Sequence, residues 1–295
     1  MTVSMTAEEA AVVEAAIKEI SHIATLPEIT VKIIELVEDP TSTAQDLHAV
    51  ISNDPALCSR ILKVVNSAFY GLPRQIGSIN RAIVLLGLNA VKNIAIAASL
   101  TKLFRGGDLC PSFSARDLWT HCIATAAASK LICDKLNLGL PDEAFLAGMI
   151  HDIGIMVEMQ AGRDKLIEVI ESLDIDADGV PAVDMLQRET EVFGANHCTF
   201  GAGLCEAWKF PKSFSYVTGG HHDPLAIPQG SRTLASVVYV ADRLAAECGY
   251  GFRSDLTSLA INPQIMEELH LSAELINQIK TELPDVFEEV EATFG

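Results

Sequence analysis

SNDPALCSRILKVVNSAFYG, residues 52–71, reads as a helix with both ends marked. Asp54 offers a side-chain oxygen to the first free backbone N–H groups, and Pro55 suits the first helical position because its missing N–H has no partner there. Leu57, Ile61, Leu62 and Val65 recur at three- and four-residue spacing, and Gly71 lies beyond the end. The same grammar extends in both directions. Thr43-x-x-Asp46 and Ser114-x-x-Asp117 look like capping boxes, the second opening a long helix through about Asp134. Pro181, Pro211 and Pro284 stand at further expected helix starts. Apolar residues keep helical rather than strand spacing nearly throughout, so the expected fold is all-α.

The chain has 295 residues, 49% of them apolar, which is enough to bury a sizeable core. Its net charge of −18 is the wrong sign for tracking a phosphate backbone or an anionic bilayer, so neither nucleic acid nor membrane is an expected partner. Glu8, Glu9 and Glu14 interrupt the opening segment where a secretory signal needs a basic end and an apolar run. The longest apolar stretches, such as Ile94 to Leu100, have core-helix length, far below the roughly 18 residues of a membrane span. A cytoplasmic protein is the expectation. Seven scattered cysteines with no C-x-x-C pair indicate neither a disulfide framework nor a thiolate zinc site.

The best boundary is RGGDLCPSF, residues 105–113, where Gly106-Gly107 and Pro111 separate two helical stretches. Residues 1–104 carry 8 basic and 10 acidic side chains, net −2, against 13 and 29, net −16, for the remainder. The expected organisation is an N-terminal helix (1–25), a helical lobe (26–104), a connecting loop (105–113), a second helical lobe (114–250) and acidic C-terminal helices (251–295).

Five of the eight histidines, His121, His151, His197, His221 and His222, fall between positions 121 and 222. His151-Asp152 follows the apolar run Ala144 to Ile150, so an imidazole and a carboxylate project together from the end of a buried helix. Asp242 has Val238, Tyr239, Ala245 and Ala246 at helical spacing, an apolar face for a charge, which is costly unless the carboxylate meets a cation or donors. A structural ion pair with Arg243 or a core histidine would satisfy that need, and so would a metal. Phe193 and Phe200 turn His197 inward as well. Inward histidines plus two carboxylates from at least four helices fit a metal cluster. Gly201-x-Gly203 lacks the strand and third glycine of a dinucleotide fingerprint and suits close helix packing instead.

The pattern His121, His151-Asp152, Asp242 resembles the HD superfamily of metal-dependent phosphohydrolases. More narrowly, LPEIT (26–30), SNDPALCSRILKVVNSAFYG (52–71) and SINRAIVLLGLNAVKNIAI (78–96) resemble the first lobe of an HDOD domain, an HD-related output domain. LWTH (118–121), AFLAGMIHDIG (144–154), FGANHCTFGAGLCEAWKFP (193–211) and GGHHDP (219–224) continue the likeness, to about Asp242.

The resemblance implies a multi-helical HD-like bundle with an additional N-terminal lobe, serving signal transduction without catalysis. It implies a divalent transition-metal centre of one or two ions held by His121, His151, Asp152 and Asp242, with His197, His221 and His222 as additional ligands. Asp152 is the natural bridge, since a carboxylate has two oxygens. Imidazole-rich ligation leaves Fe, Mn, Zn and Ni open. A signalling protein or a small molecule is the expected partner. The alternative is a metal-dependent phosphohydrolase acting on a nucleotide or other phosphoester. Against cyclic-dinucleotide hydrolysis, Ile155 stands where the related phosphodiesterases read HDIGK, and no GYP motif follows His222. Lys130, Lys209, Lys212 and Arg243 are the weak candidates for holding a phosphate; Lys209 and Lys212 flank a helix start where backbone donors are free.

Overall fold

The computed structural model describes residues 5–20, 26–101, 108–111, 113–176 and 179–294. Among them the regular structure is helical apart from one small β pair. The first helices are α1 (Ala7–Glu19), α2 (Glu28–Glu38), α3 (Ala44–Ser52), α4 (Pro55–Val65), α5 (Ile79–Leu86) and α6 (Leu88–Leu100). The expected start signals work as read: Asp54 accepts from the Leu57 N–H at 2.9 Å, and Thr43 and Asp46 form a reciprocal capping box.

Helix α6 joins the first helices to the rest of the molecule. Every residue from Ala90 to Leu100 is buried, the pattern of a helix surrounded on all sides. It packs on α2, α4 and α5 and, beyond them, on α8 (Pro141–Ile150). Even Lys92 is buried, its ammonium donating to the Leu36 carbonyl and to Ser42 Oγ at 2.6 Å.

The long helix α7 (Ala115–Leu136) packs on α8, α14 (Thr233–Glu247) and α16 (Ala273–Phe294). Around it lie α9 (Ile153–Ala161), α10 (Arg163–Glu171), α11 (Met185–Phe193), α12 (His197–Ala207) and α13 (Lys212–Gly220), with α15 (Pro263–Glu268) preceding the last helix. The small residues of α12 serve packing: Gly201 faces Thr218 of α13, and Gly203 faces Val13 of α1. Helix α1 thus lies on α12 and α9. Helix α16 buries Ile279, Leu283, Phe287, Val290 and Phe294 and reaches both α7 and α4, so its acidic residues coat a strap that joins the N-terminal helices to α7.

Four expectations change. Within 105–113, residues 105–107 and 112 lie outside the described residues, while β1 (Asp108–Cys110) and β2 (Phe113–Ser114) pair antiparallel where a plain connection was expected. Ser114 caps α7, but its hydroxyl, not its N–H, meets Asp117, so the box is not reciprocal. Pro181 bridges to Ile175, and α11 begins at Met185 behind an Asp184 cap. Pro284 sits inside α16, on its exposed side; the long buried face outweighs the one hydrogen bond a proline forfeits.

Candidate metal centre

Six helix ends or faces converge between α7, α8, α9, α12, α13 and α14. His121 comes from the second turn of α7, His151 and Asp152 from the junction of α8 and α9, and His197 from the first turn of α12. His221 and His222 leave the end of α13, and Asp242 points in from α14. The junction depends on Gly154: a Cβ there would lie 1.8 Å from the His197 carbonyl oxygen, so only glycine lets α9 press against the start of α12. His121, His151, Asp152, His197, His221 and Asp242 are buried, and His222 alone has side-chain exposure, at 12%.

Asp152 is the geometric middle. Its Oδ2 lies 3.1 Å from His151 Nε2 and 3.9 Å from His121 Nε2, while Oδ1 lies 3.3 Å from His221 Nε2 and 3.8 Å from His197 Nε2. Each oxygen therefore faces a different pair of imidazoles. Asp242 Oδ1 is 3.1 Å from His121 Nε2, and the Nε2 atoms of His197 and His222 are 3.1 Å apart.

The outer ends of the rings are tethered. His121 Nδ1 is 3.3 Å from the Tyr250 carbonyl, His151 Nδ1 2.7 Å from the Gly148 carbonyl, and His221 Nδ1 3.1 Å from the Val217 carbonyl. Carbonyl oxygens only accept, so these Nδ1 atoms carry protons and the Nε2 atoms are the ones turned inward, toward the carboxylates. His197 Nδ1 is held instead by Glu189, at 2.8 and 2.9 Å from its two oxygens. That is the arrangement by which outer partners orient metal-bound histidines.

Charge follows the same division. Burial lowers His121, but Asp242 and Asp152 overcome it and place the ring at about 9. Burial also opposes protonation of His197, yet Glu189 holds it well above the ordinary value. His221 and His222 are pushed down by burial and by neighbouring rings. Burial would raise Asp152, but His151 and His221 hold it well below the usual carboxylate range.

Sequence reasoning missed Asp255. It lies after α14 on a loop that was expected to be helical from 251 onward, and Gly251 brings it in. Gly251 has φ +67°, and a Cβ there would meet the Asp117 carbonyl at 2.2 Å, so the loop folds tightly over α7. Asp255 Oδ2 ends 3.5 Å from His222 Nε2. Burial and the charges of Asp152 and Asp242 raise its pKa to about 7. No periodicity announces a loop residue. Glu189, also missed, did leave a signal: like Asp242 it sits on an apolar stripe, between Met185 and Phe193 four residues either side.

The donor set fits a divalent transition metal. His151 Nε2, His221 Nε2, both oxygens of Asp152, both of Asp255 and Oδ2 of Asp242 are buried without a hydrogen-bond partner, and a cation is what such convergent lone pairs lack. Three groups have ligand atoms mutually within 4.8 Å: His121, His151 and Asp152 form an inner position, and two groups that share His197 and His222 form the outer one, the first completed by Asp152 and Asp255 and the second by His221 and Cys198.

Of the four weak phosphate candidates, Arg243 alone reaches this region. Its Nη1 lies 3.5 Å from Asp242 Oδ2 and its guanidinium stacks on the Tyr239 ring at 3.5 Å. Lys130 instead pairs with Asp134 at 2.8 Å beside the Phe69 and Tyr70 rings. Lys209 is exposed with a left-handed backbone at the end of α12, and Lys212 is exposed over Tyr216. None of these three lysines pairs with a carboxylate or ring of the centre among the described residues. A cavity of about 490 Å³ touches the centre at His222 and is lined by Glu9, Asn196, Cys198, Tyr216 and Ile227 among others, with no Lys or Arg among the described residues.

A family model described as HDOD domain matches residues 23–224. A curated protein of Treponema pallidum (strain Nichols) is 25% identical over 221 residues, covering 74% of this chain and 41% of its own length, so the chain spans about two fifths of that relative. An HDOD domain protein of Geobacter sulfurreducens superposes with a TM-score of 0.78 at 22% identity, over 97% of this chain and 98% of its own. A protein of Shewanella amazonensis SB2B, provisionally named a phosphohydrolase, gives 0.72 at 22% identity over 97% and 98%. A protein of Marinobacter aquaeolei VT8, provisionally named for signal transduction, gives 0.75 at 22% over 99% and 67%. The family match ends before Asp242 and Asp255. Among the described residues no helix is long and apolar enough to cross a membrane.

Proposed function

Because this chain belongs to the HDOD family, we propose that it is a regulatory signalling protein whose metal centre of one or two ions braces the second lobe, and whose output is read by a protein partner or set by a small ligand. The observation that carries this reading is the closure of the centre. Eight groups converge, only His222 meets open space, and the cavity beyond it offers no cation among its described lining residues. A phosphoester needs charged donors matched to its oxygens. Ile155, next to the His-Asp pair, is buried and apolar. A bound ion in such a site would neutralise the clustered carboxylates and lock four helix ends together.

The second reading, a metal-dependent phosphohydrolase, is favoured by the completeness of the donor set and by Arg243 against Asp242. A metal there would supply a water of lowered pKa and polarise a phosphoryl oxygen. In that reading Asp152 divides its oxygens between two positions, Glu189 holds His197 in place, and Arg243 stands beside the inner carboxylate.

The deciding experiment is elemental analysis of the purified chain, followed by an unbiased phosphoester screen with the bound metal retained. One or two Fe, Mn, Zn or Ni ions per chain without turnover is the expected result. Robust turnover abolished by His151→Ala would overturn the regulatory reading in favour of the hydrolase.

A further inference from the structure

One side chain beside the centre is used by neither reading. Cys198 follows His197 in the first turn of α12, where Asn196 caps the helix by accepting from the Thr199 N–H at 3.0 Å. The cap that fixes His197 therefore fixes Cys198 as well. The thiol is buried, at 7% exposure, and lines the cavity that opens at His222. Its Sγ and the ligand nitrogens of His197, His221 and His222 all lie within 4.8 Å of one another. The other buried cysteines, Cys122, Cys133 and Cys205, join no such group among the described residues.

We propose that Cys198 is a ligand of the outer metal position, closing on its cavity side a sphere begun by His197, His221 and His222. The inference rests on the centre holding metal. Donors around a tetrahedral zinc-sized ion, at about 2.0–2.3 Å from it, stand roughly 3.3–3.8 Å apart, so this group needs only to draw inward. The thiol proton leaves for solvent through the cavity as the sulfur binds, because a coordinating thiol is deprotonated by the cation itself.

The consequence is that the two positions are chemically unequal. The inner group, His121, His151 and Asp152, offers only nitrogen and oxygen. A thiolate at the outer position adds a soft donor and selects a thiophilic ion there, zinc or cobalt over manganese. Asp255 belongs to the neighbouring group, which shares His197 and His222 with that of Cys198 and brings its carboxylate to 3.5 Å from His222.

The test uses the full chain stripped by a chelator and reloaded with zinc or cobalt. Zinc-edge X-ray absorption should show a sulfur neighbour at about 2.3 Å alongside nitrogen and oxygen at about 2.0–2.1 Å. Cobalt should give the near-ultraviolet thiolate charge-transfer band. Cys198→Ser should remove both signatures and weaken the outer ion roughly tenfold or more, while Cys122→Ala retains them. Cys198→Ala serves equally where serine disturbs folding. Bound ions with nitrogen and oxygen scattering alone, or a sulfur signal surviving in both Cys198 variants, would overturn the assignment and leave the metal-centre reading intact. A chain that binds no ion at all would overturn both.

Discussion

Glu189 grips His197 at two points: one carboxylate oxygen accepts the His197 backbone N–H at 2.9 Å, and both oxygens lie 2.8–2.9 Å from its Nδ1. Helix α11 thereby holds the first residue of α12 by backbone and ring together, and the Nε2 face is left for the centre. Glu158, raised well above the carboxylate range by burial and by Glu189's charge, stays neutral beside it.

Glu189→Gln keeps the volume but weakens this grip. The expected outcome is an outer ion bound about 10- to 100-fold more weakly, with the inner ion and the helical content unchanged. Competition against a metal-ion indicator measures it, and unchanged affinity at both positions would show that the ring needs no such anchor.

Asp255→Asn should change sign with metal content. Without metal, the aspartate is a buried acid pushed up to about 7 by burial and by Asp152 and Asp242, so a neutral asparagine relieves repulsion and raises the thermal midpoint above that pH. With metal, the lost ligand weakens the outer ion. Melting curves at pH 8 with chelator and with metal should cross; stabilisation in both conditions would remove Asp255 from the ligand set.

Gly154→Ala places a methyl carbon 1.8 Å from the His197 carbonyl oxygen, where no side chain can give way because the obstacle is backbone. Separation of α9 from α12 follows, at a cost of about 3 kcal/mol or more. Metal content should drop along with the melting temperature. A variant with wild-type stability and metal content would show that the two helices do not meet so closely.

The metal-free protein should lose stability as pH rises. His121 at about 9 stands above its ordinary 6.5, so its contribution is complete below pH 6.5 and disappears as pH passes 9. His197, raised by Glu189, has the same sign, and ionising Asp255 through about 7 adds a cost in the same direction. The His121 share is of order 3 kcal/mol. Thermal melts in chelator should fall from pH 7 to 10, above the range in which the lowered His221 and His222 act with the opposite sign, while the stabilisation gained on adding metal grows, because bound metal displaces those protons. A flat chelator profile would refute the charge assignment.

Local chemistry in the sequence was sufficient for the helices. Caps at Thr43 and Asp54, the buried run of α6 and the helical spacing of apolar residues act within a few residues of one another, and such signals survive in a linear string. Asp242 was legible for the same reason, a charge on an apolar helical face. The tertiary structure decided what spacing does not encode. It split Asp152's two oxygens between two pairs of rings, brought in Asp255 on a glycine-folded loop, tied Glu189 to His197 from another helix, and gave Lys130 to Asp134 rather than to the centre. Those relations join residues up to more than a hundred positions apart, and they exist only because α7, α8, α12, α13 and α14 pack closely enough to bring their ends to one point.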